Sequence, residues 1–375
     1  MKKHVNYFLL FLLIFMISFS FLFLACLTAS ISMKTMGNTT YFLFHQITAG
    51  LLPGLILGFI AYMISLSFLK KWAPLLVLLN ILALFAVFIP GIGSKVNGAH
   101  RWIDLGFMNF QPSEFLKITA IVYLSAWVAS KLSEAGNGNW KSLLKSGYHN
   151  TIYVLVPFMV LLGLITVGLI LQRDLTTLGI ITITLLVLYF SAKTPGWHTA
   201  TIMIIGGAAA ALFIKLEPYR WERFSTFLHP DKDPMGAGLQ LKQSLVALGS
   251  GGIFGKGLGM SAQKFFLPEA MTDSIFAIIG EELGIIGCVV LIASFILLFW
   301  AGIKIAQRSH DKFSQILAIG IVFYLCFQAF VNMASVAGIF PLAGIPLPLF
   351  SYGGSHLLVE LIALGLLLNI SKNTT

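Results

Sequence analysis

Carboxylates are scarce in this chain, 14 Asp and Glu among 375 residues. A reaction that needs a carboxylate to take a proton from a hydroxyl therefore has few places to occur. Six of the acids, Glu114, Asp174, Asp273, Glu281, Glu282 and Glu360, lie in or at the ends of long apolar stretches, where a charge costs several kcal/mol and needs a reason. Asp273 sits where a long polar segment turns into an apolar helix. Thr272 or Asp273 could cap that helix, and the positive end of its dipole would favour the carboxylate. Glu281 follows eight positions later, about 80° around the helix and roughly 12 Å deeper, too far to share a proton with Asp273. Glu281 and Glu282, on opposite faces, are expected to make polar contacts between helices. Asp273 is the candidate general base.

The run Gln-Pro-Ser-Glu-Phe-Leu-Lys at 111–117 reads as a helix start, with Pro112 in the first turn. Glu114 and Lys117 share a face at i, i+3 and can pair as the helix enters the membrane. A cavity lined by one lysine and one glutamate suits an anionic headgroup such as pyrophosphate. Arg101 and Trp102, just before, add a fixed cation and an aromatic suited to the membrane interface. Near the C-terminus, Pro341, Pro346 and Pro348 with Gly338, Gly344, Gly353 and Gly354 prevent a continuous helix. Ser351, Tyr352 and the amides of Gly353 and Gly354 could bind an anion at the start of the last helix; a re-entrant structural loop is the other reading.

The elements that must hold these groups are set by composition: 58% of residues are hydrophobic and 10% charged, against roughly a quarter charged in a soluble domain. Most of the chain therefore sits in lipid. Stretches near 7–33, 47–68, 73–90, 115–131, 152–171, 175–192, 198–216, 274–303, 314–338 and 355–370 approach the roughly 20 apolar residues a span requires. The expectation is an all-α integral membrane protein of about ten helices, one polytopic domain over 1–375. The first run is too long for a signal peptide and lacks a small-residue cleavage site, so it should remain as an anchor.

Basic residues orient the bundle better than they suggest a nucleic-acid partner, because the net charge of +10 is scattered over loops. With the N-terminus cytoplasmic, the inner loops hold Lys2, Lys3, Lys70, Lys71, Lys131, Lys141, Lys145, Lys193, Lys304, Arg308, Lys312 and Lys372, and the short outer loops only Lys34, Lys95, Arg101 and Arg173. Both termini are then cytoplasmic, and the long loop 217–273 between helices 7 and 8 lies outside. Irregular backbone must face water or a protein-lined cavity. The four irregular stretches, 97–117, 172–179, 217–282 and 338–355, all open on the outer side and could converge. Cys26, Cys288 and Cys326 fall within helices without metal-ligand spacing.

NGAHRWIDLG followed by QPSEFLK, GSGGIFGKGLG with LPEAMTDSIFAIIGEELGIIG, and GIPLPLFSYGGS stand in that order along the chain. In these motifs nearly the whole chain resembles the SEDS family of bacterial membrane proteins, to which FtsW, RodA and SpoVE belong. The resemblance implies a ten-helix fold in the bacterial cytoplasmic membrane and peptidoglycan glycosyltransferase activity. The expected substrate is lipid II, joined into β-1,4 glycan strands with inversion at the donor sugar, and the expected partner is a class B penicillin-binding protein. Asp273 matches the family's catalytic aspartate, Glu114 and Lys117 match cavity-lining residues, and Ser351 and Tyr352 fall in its final signature. Lys117, Arg101 or a divalent cation could stabilise the departing pyrophosphate; no metal site is legible.

Three positions depart from the family pattern: Met271 stands where histidine is usual, Ser274 where an aromatic is usual, and QRDLTT replaces QPDLGT through Arg173 and Thr176. These mark a divergent paralogue. A lipid II flippase, which needs the same kind of amphipathic cavity, and a noncatalytic scaffold of a cell-wall complex are the competing readings. No internal repeat supports the flippase.

Overall fold

The computed structural model describes residues 5–96, 99–104, 106, 109–135, 155–191, 198, 200–202, 204, 206, 226–229, 233 and 236–372. Nine helices among them follow the expected course: α1 (Tyr7–Met36), α2 (Tyr41–Met63), α3 (Leu66–Ala86), α4 (Pro112–Ala135), α5 (Val156–Leu171), α6 (Leu175–Ser191), and then α8 (Ile275–Arg308), α9 (Lys312–Val336) and α10 (Gly354–Ser371). The expected span 198–216 lies mostly outside the described residues. Helix α7 (Ala237–Ser250) falls inside the long loop and was not anticipated, since its 14 residues carry no spanning run.

Helix ends follow local chemistry. The Asn6 side chain accepts the Leu9 amide at 3.1 Å to start α1, and Gly37, at φ +70°, closes it with its amide on the Met33 carbonyl. Ser65 caps α3 through the Phe68 amide at 3.2 Å. The second and third spans thus run 41–63 and 66–86 rather than 47–68 and 73–90. Pro53 and Pro74 mark why: residues 47–51 widen into a π-turn just before Pro53, and Pro74 is absorbed inside α3 instead of starting it.

The bundle is inside-out relative to a soluble protein. Phe11, Ile56, Phe59, Leu79, Leu82, Val289 and Ile296 are exposed on α1, α2, α3 and α8, where lipid would cover them. The interior is built on α4, α9 and α10. Helix α2 meets α10 through small residues: a Cβ on Gly58 would lie 2.7 Å from the Leu361 carbonyl oxygen, and one on Gly365 2.1 Å from that of Gly58. Without side chains there the backbones approach closely, the usual way helices associate where lipid removes the hydrophobic drive.

Successive helices return to the same two ends. The loops after α1, α3, α5 and α9 and the segment before α8 gather at one end, where a small antiparallel sheet, β1 (Gly93–Val96), β2 (Ala99–Asp104) and β3 (Asn109–Phe110), departs from the all-α expectation. At the other end Lys372 donates to the Tyr62 carbonyl at 2.7 Å, and Asn369 to those of Ala61 and Ile64.

Candidate functional site

The described parts of the four irregular stretches meet at the sheet-bearing end. Arg101 on β2 donates through Nε to the Gln172 carbonyl (3.1 Å) and through Nη2 to that of Arg173 (2.5 Å), locking the sheet onto the α5–α6 turn. Part of the expected anion clamp is therefore spent on backbone. Trp102, half-buried beside it, pairs with Ser94 of β1. Arg173 holds φ +56°, a backbone that proline, fixed near −65°, cannot adopt. The arginine that replaces the family's proline therefore goes with a turn only a non-proline residue can make. Asp174 reaches the Ser113 hydroxyl (3.3 Å) and the Thr177 amide (3.3 Å), tying the starts of α4 and α6 together.

Glu114 and Lys117 pair at 2.8 Å and are both buried, facing protein rather than lipid. Lys117 also donates to Gln328 Oε1 at 2.9 Å and lies 5.2 Å from the Tyr324 ring centroid. A narrow gap beside them is lined by Ile121, Ile180, Thr184 and Tyr324. It is a packing gap rather than an open cavity, so the pair is enclosed in this conformation. Glu360 lies close enough to interact electrostatically with both charges and accepts the Leu349 amide at 2.8 Å.

Asp273 is half-buried immediately before α8. The helix starts one residue later than expected, with Ser274 at the cap position; its hydroxyl makes no cap bond and instead donates to the Pro268 carbonyl and accepts from Gln240. The cap position thus falls to Ser274 rather than to Thr272 or Asp273. The 271–273 turn is held by the C-terminal loop and by α9: Tyr352 donates its amide to the Met271 carbonyl (2.8 Å), Ser351 its hydroxyl to that of Thr272 (2.6 Å), and Asn332 of α9 its side-chain amide to that of Asp273 (2.8 Å).

The groups at 351–354 expected to bind an anion have protein partners in this conformation. The Ser351 hydroxyl is also bonded by the Leu347 amide at 2.7 Å, which leaves it a structural tie. The Gly353 amide donates to Gln46 Oε1 at 2.8 Å, and Gly354 packs against Ala49, whose carbonyl oxygen a Cβ would approach to 2.9 Å. The Tyr352 hydroxyl pairs with His45 Nδ1 at 2.8 Å, and burial pushes the phenol up to about 12, keeping it neutral. Residues 341–353 form the re-entrant loop of the alternative reading, pinned further by Ser20 on the Leu349 carbonyl.

Glu281 and Glu282, expected to make polar contacts between helices, bond the 256–263 segment instead among the described residues. Glu281 pairs with Lys256 at 2.7 Å and accepts the Ser261 hydroxyl and the Gln263 amide, while Glu282 accepts the amides of Gly259 (2.8 Å) and Ser261 (3.2 Å). Two carboxylates that an ideal helix would splay apart both reach the 256–263 loop, because the helix breaks at Gly284 (φ +66°) and that loop threads into the break. Among the described residues no three His, Cys, Asp or Glu side chains come together as a metal-binding group.

The residues sequence reasoning missed are on α9. Tyr324, Gln328 and Asn332, at i, i+4 and i+8, form a buried polar row running from Lys117 to Asp273. Three polar side chains at helical spacing in an otherwise apolar span were the available signal.

Comparison with known proteins is consistent along the chain. The family model for FtsW, RodA and SpoVE, described as cell cycle protein, matches residues 6–375. A probable peptidoglycan glycosyltransferase FtsW from Trichlorobacter lovleyi is 38% identical over 371 residues, 97% of this chain and 92% of that protein. The stage V sporulation protein E of Bacillus subtilis is 38% identical over 304 residues, 81% of this chain and 80% of that protein. Among solved structures, a chain from work on the structural coordination of polymerization and crosslinking by a peptidoglycan synthase complex superposes with a TM-score of 0.76 at 25% identity, covering 99% of this chain and 98% of that one. The rod shape determining protein RodA of Thermus thermophilus gives 0.68 at 25% identity with the same coverage.

Proposed function

The chain belongs to the FtsW/RodA/SpoVE family of multi-pass membrane proteins, and from that premise we propose that it is a peptidoglycan glycosyltransferase using lipid II at the outer face of the cytoplasmic membrane. The observation that carries the reading is the turn 271–273, held by three separate bonds at the end of the bundle where the sheet and the re-entrant loop converge. A half-buried carboxylate on a braced turn suits a base that must meet a substrate hydroxyl in a fixed geometry.

In the proposed reaction the 4-hydroxyl oxygen of the acceptor sugar attacks the donor's C1 from the face opposite its α-linked pyrophosphate. The C1–O bond to phosphate breaks, the hydroxyl proton passes to the Asp273 carboxylate, and the lipid pyrophosphate leaves. Inversion makes the new bond β. Lys117 and the free edge of the Arg101 guanidinium are the cations proposed to stabilise the leaving pyrophosphate, with Glu114 orienting Lys117 and Trp102 seating the substrate at the interface. Because Lys117 is enclosed between α4 and α9, direct contact requires that seam to open.

The test is polymerisation of lipid II by purified protein. Asp273→Asn keeps the size of the side chain and removes its basicity, so folded protein and lipid II binding should persist while polymer formation falls roughly 10²-fold or more. Polymer at the wild-type rate would remove Asp273 from the mechanism. Crosslinking of the product strands falls to a proposed class B penicillin-binding partner, packed against the bundle within the membrane. Its recovery by co-purification in mild detergent is expected, and failure to recover one even after chemical crosslinking would count against the pairing.

A further inference from the structure

We propose that Asn332 is a positioning residue for the Asp273 turn, one that acts through the backbone carbonyl of the residue bearing the reacting carboxylate; this rests on the proposed role of Asp273. The Asn332 side-chain nitrogen donates both of its hydrogens, one to the Asp273 carbonyl at 2.8 Å and one to the Ile345 carbonyl at 2.7 Å. Reversing the amide would place its oxygen against two carbonyl oxygens, so the two acceptors settle its orientation. One planar group therefore spans the turn that carries the base and the loop that braces it.

The next residue of the same face repeats the arrangement one turn away. Gln328 accepts from Lys117 through Oε1 and donates through Nε2 to the Pro346 carbonyl at 3.0 Å. The adjacent carbonyls of Ile345 and Pro346 are thus held by adjacent turns of α9; the same Asn332 nitrogen also reaches the Asp273 carbonyl, and the oxygen end of Gln328 reaches Lys117. Helix α9 sets the base and the buried cation in one frame through a shared pair of loop residues.

Asn332 Oδ1 is buried and has no hydrogen-bond partner among the described residues, so both bonds of this side chain come from its nitrogen. An amide nitrogen carries the two donors that reaching both carbonyls at once requires.

The experiment compares lipid II polymerisation by Asn332→Ala, Asp273→Asn and the double variant, with rates normalised to folded protein by size-exclusion in detergent. Asn332→Ala should lower kcat about tenfold or more with KM for lipid II within about twofold, and should cause no further loss on the Asp273→Asn background. Wild-type kcat in Asn332→Ala, or an equal fractional loss in both backgrounds, would overturn the positioning role. If Asn332→Ala does not fold, Asn332→Ser, which keeps one donor, is read by the same two criteria. An active Asp273→Asn variant would instead overturn the catalytic reading. Hydrogen exchange then still tests the tether, since the 272–276 amides should exchange faster in Asn332→Ala, and unchanged exchange would overturn it.

Discussion

At the scale of single residues, the buried Glu114–Lys117 pair shows how far charge can be carried into this bundle. Lys117 is held by a carboxylate, an amide oxygen and an aromatic face, so removing it leaves Glu114 and Gln328 Oε1 buried without a donor. Breaking one side of such a pair costs about 3–5 kcal/mol, whereas replacing both sides with well-packed neutral groups is often nearly neutral. Lys117→Met alone is therefore expected to reduce the yield of folded protein, and Glu114→Gln/Lys117→Met to restore it. If the pair serves the pyrophosphate, the restored double variant should still fail to polymerise lipid II. Wild-type turnover by that variant would confine the pair to structure.

At the scale of elements, close helix packing and helix interruption are both decided by glycine. The α2–α10 seam leaves no room at Gly365, where a Cβ would stand 2.1 Å from a backbone oxygen, while Gly163 on α5 has nothing within 4 Å. Gly365→Ala should push the helices apart at a cost of about 1–3 kcal/mol and lower the thermal midpoint in detergent, and Gly163→Ala should leave it unchanged or raise it. Equal midpoints for the two variants would show that the seam yields without strain. The break at Gly284 works in the opposite sense, opening α8 so that Glu281 and Glu282 can both hold the 256–263 loop.

At the scale of the whole molecule, the ends differ in the charge of their short loops as well as in architecture. Lys70, Lys71, Lys304, Arg308, Lys312 and Lys372 cluster at the end away from the sheet, while the short loops at the sheet end hold Lys34, Arg101 and Arg173 and the longer 236–273 segment adds Lys242, Lys256 and Lys264; because the positive-inside rule weighs short loops, we propose that the sheet end is external. In a variant lacking its native cysteines, the exposed Ala262→Cys should react with an impermeant thiol reagent on intact cells. Protection until lysis would invert the topology and place the proposed site on the wrong side for an external polymerase.

Composition and local motifs were enough to establish a polytopic helical bundle, most of its spans, the convergence of four irregular stretches at one end, and the pairing of Glu114 with Lys117. Those features depend on hydrophobic length, turn residues and i, i+3 spacing, all of which are local along the chain. What Glu281, Glu282, Ser351 and Gly353 touch was not legible, because each is satisfied by residues that only folding brings near: the 256–263 loop, the Thr272 carbonyl and Gln46. The role of Asn332 was hidden for the same reason. Its two acceptors lie 59 and 13 residues away, and a backbone carbonyl leaves no mark on residue type, so only the tertiary structure could decide that this asparagine bonds the turn bearing Asp273.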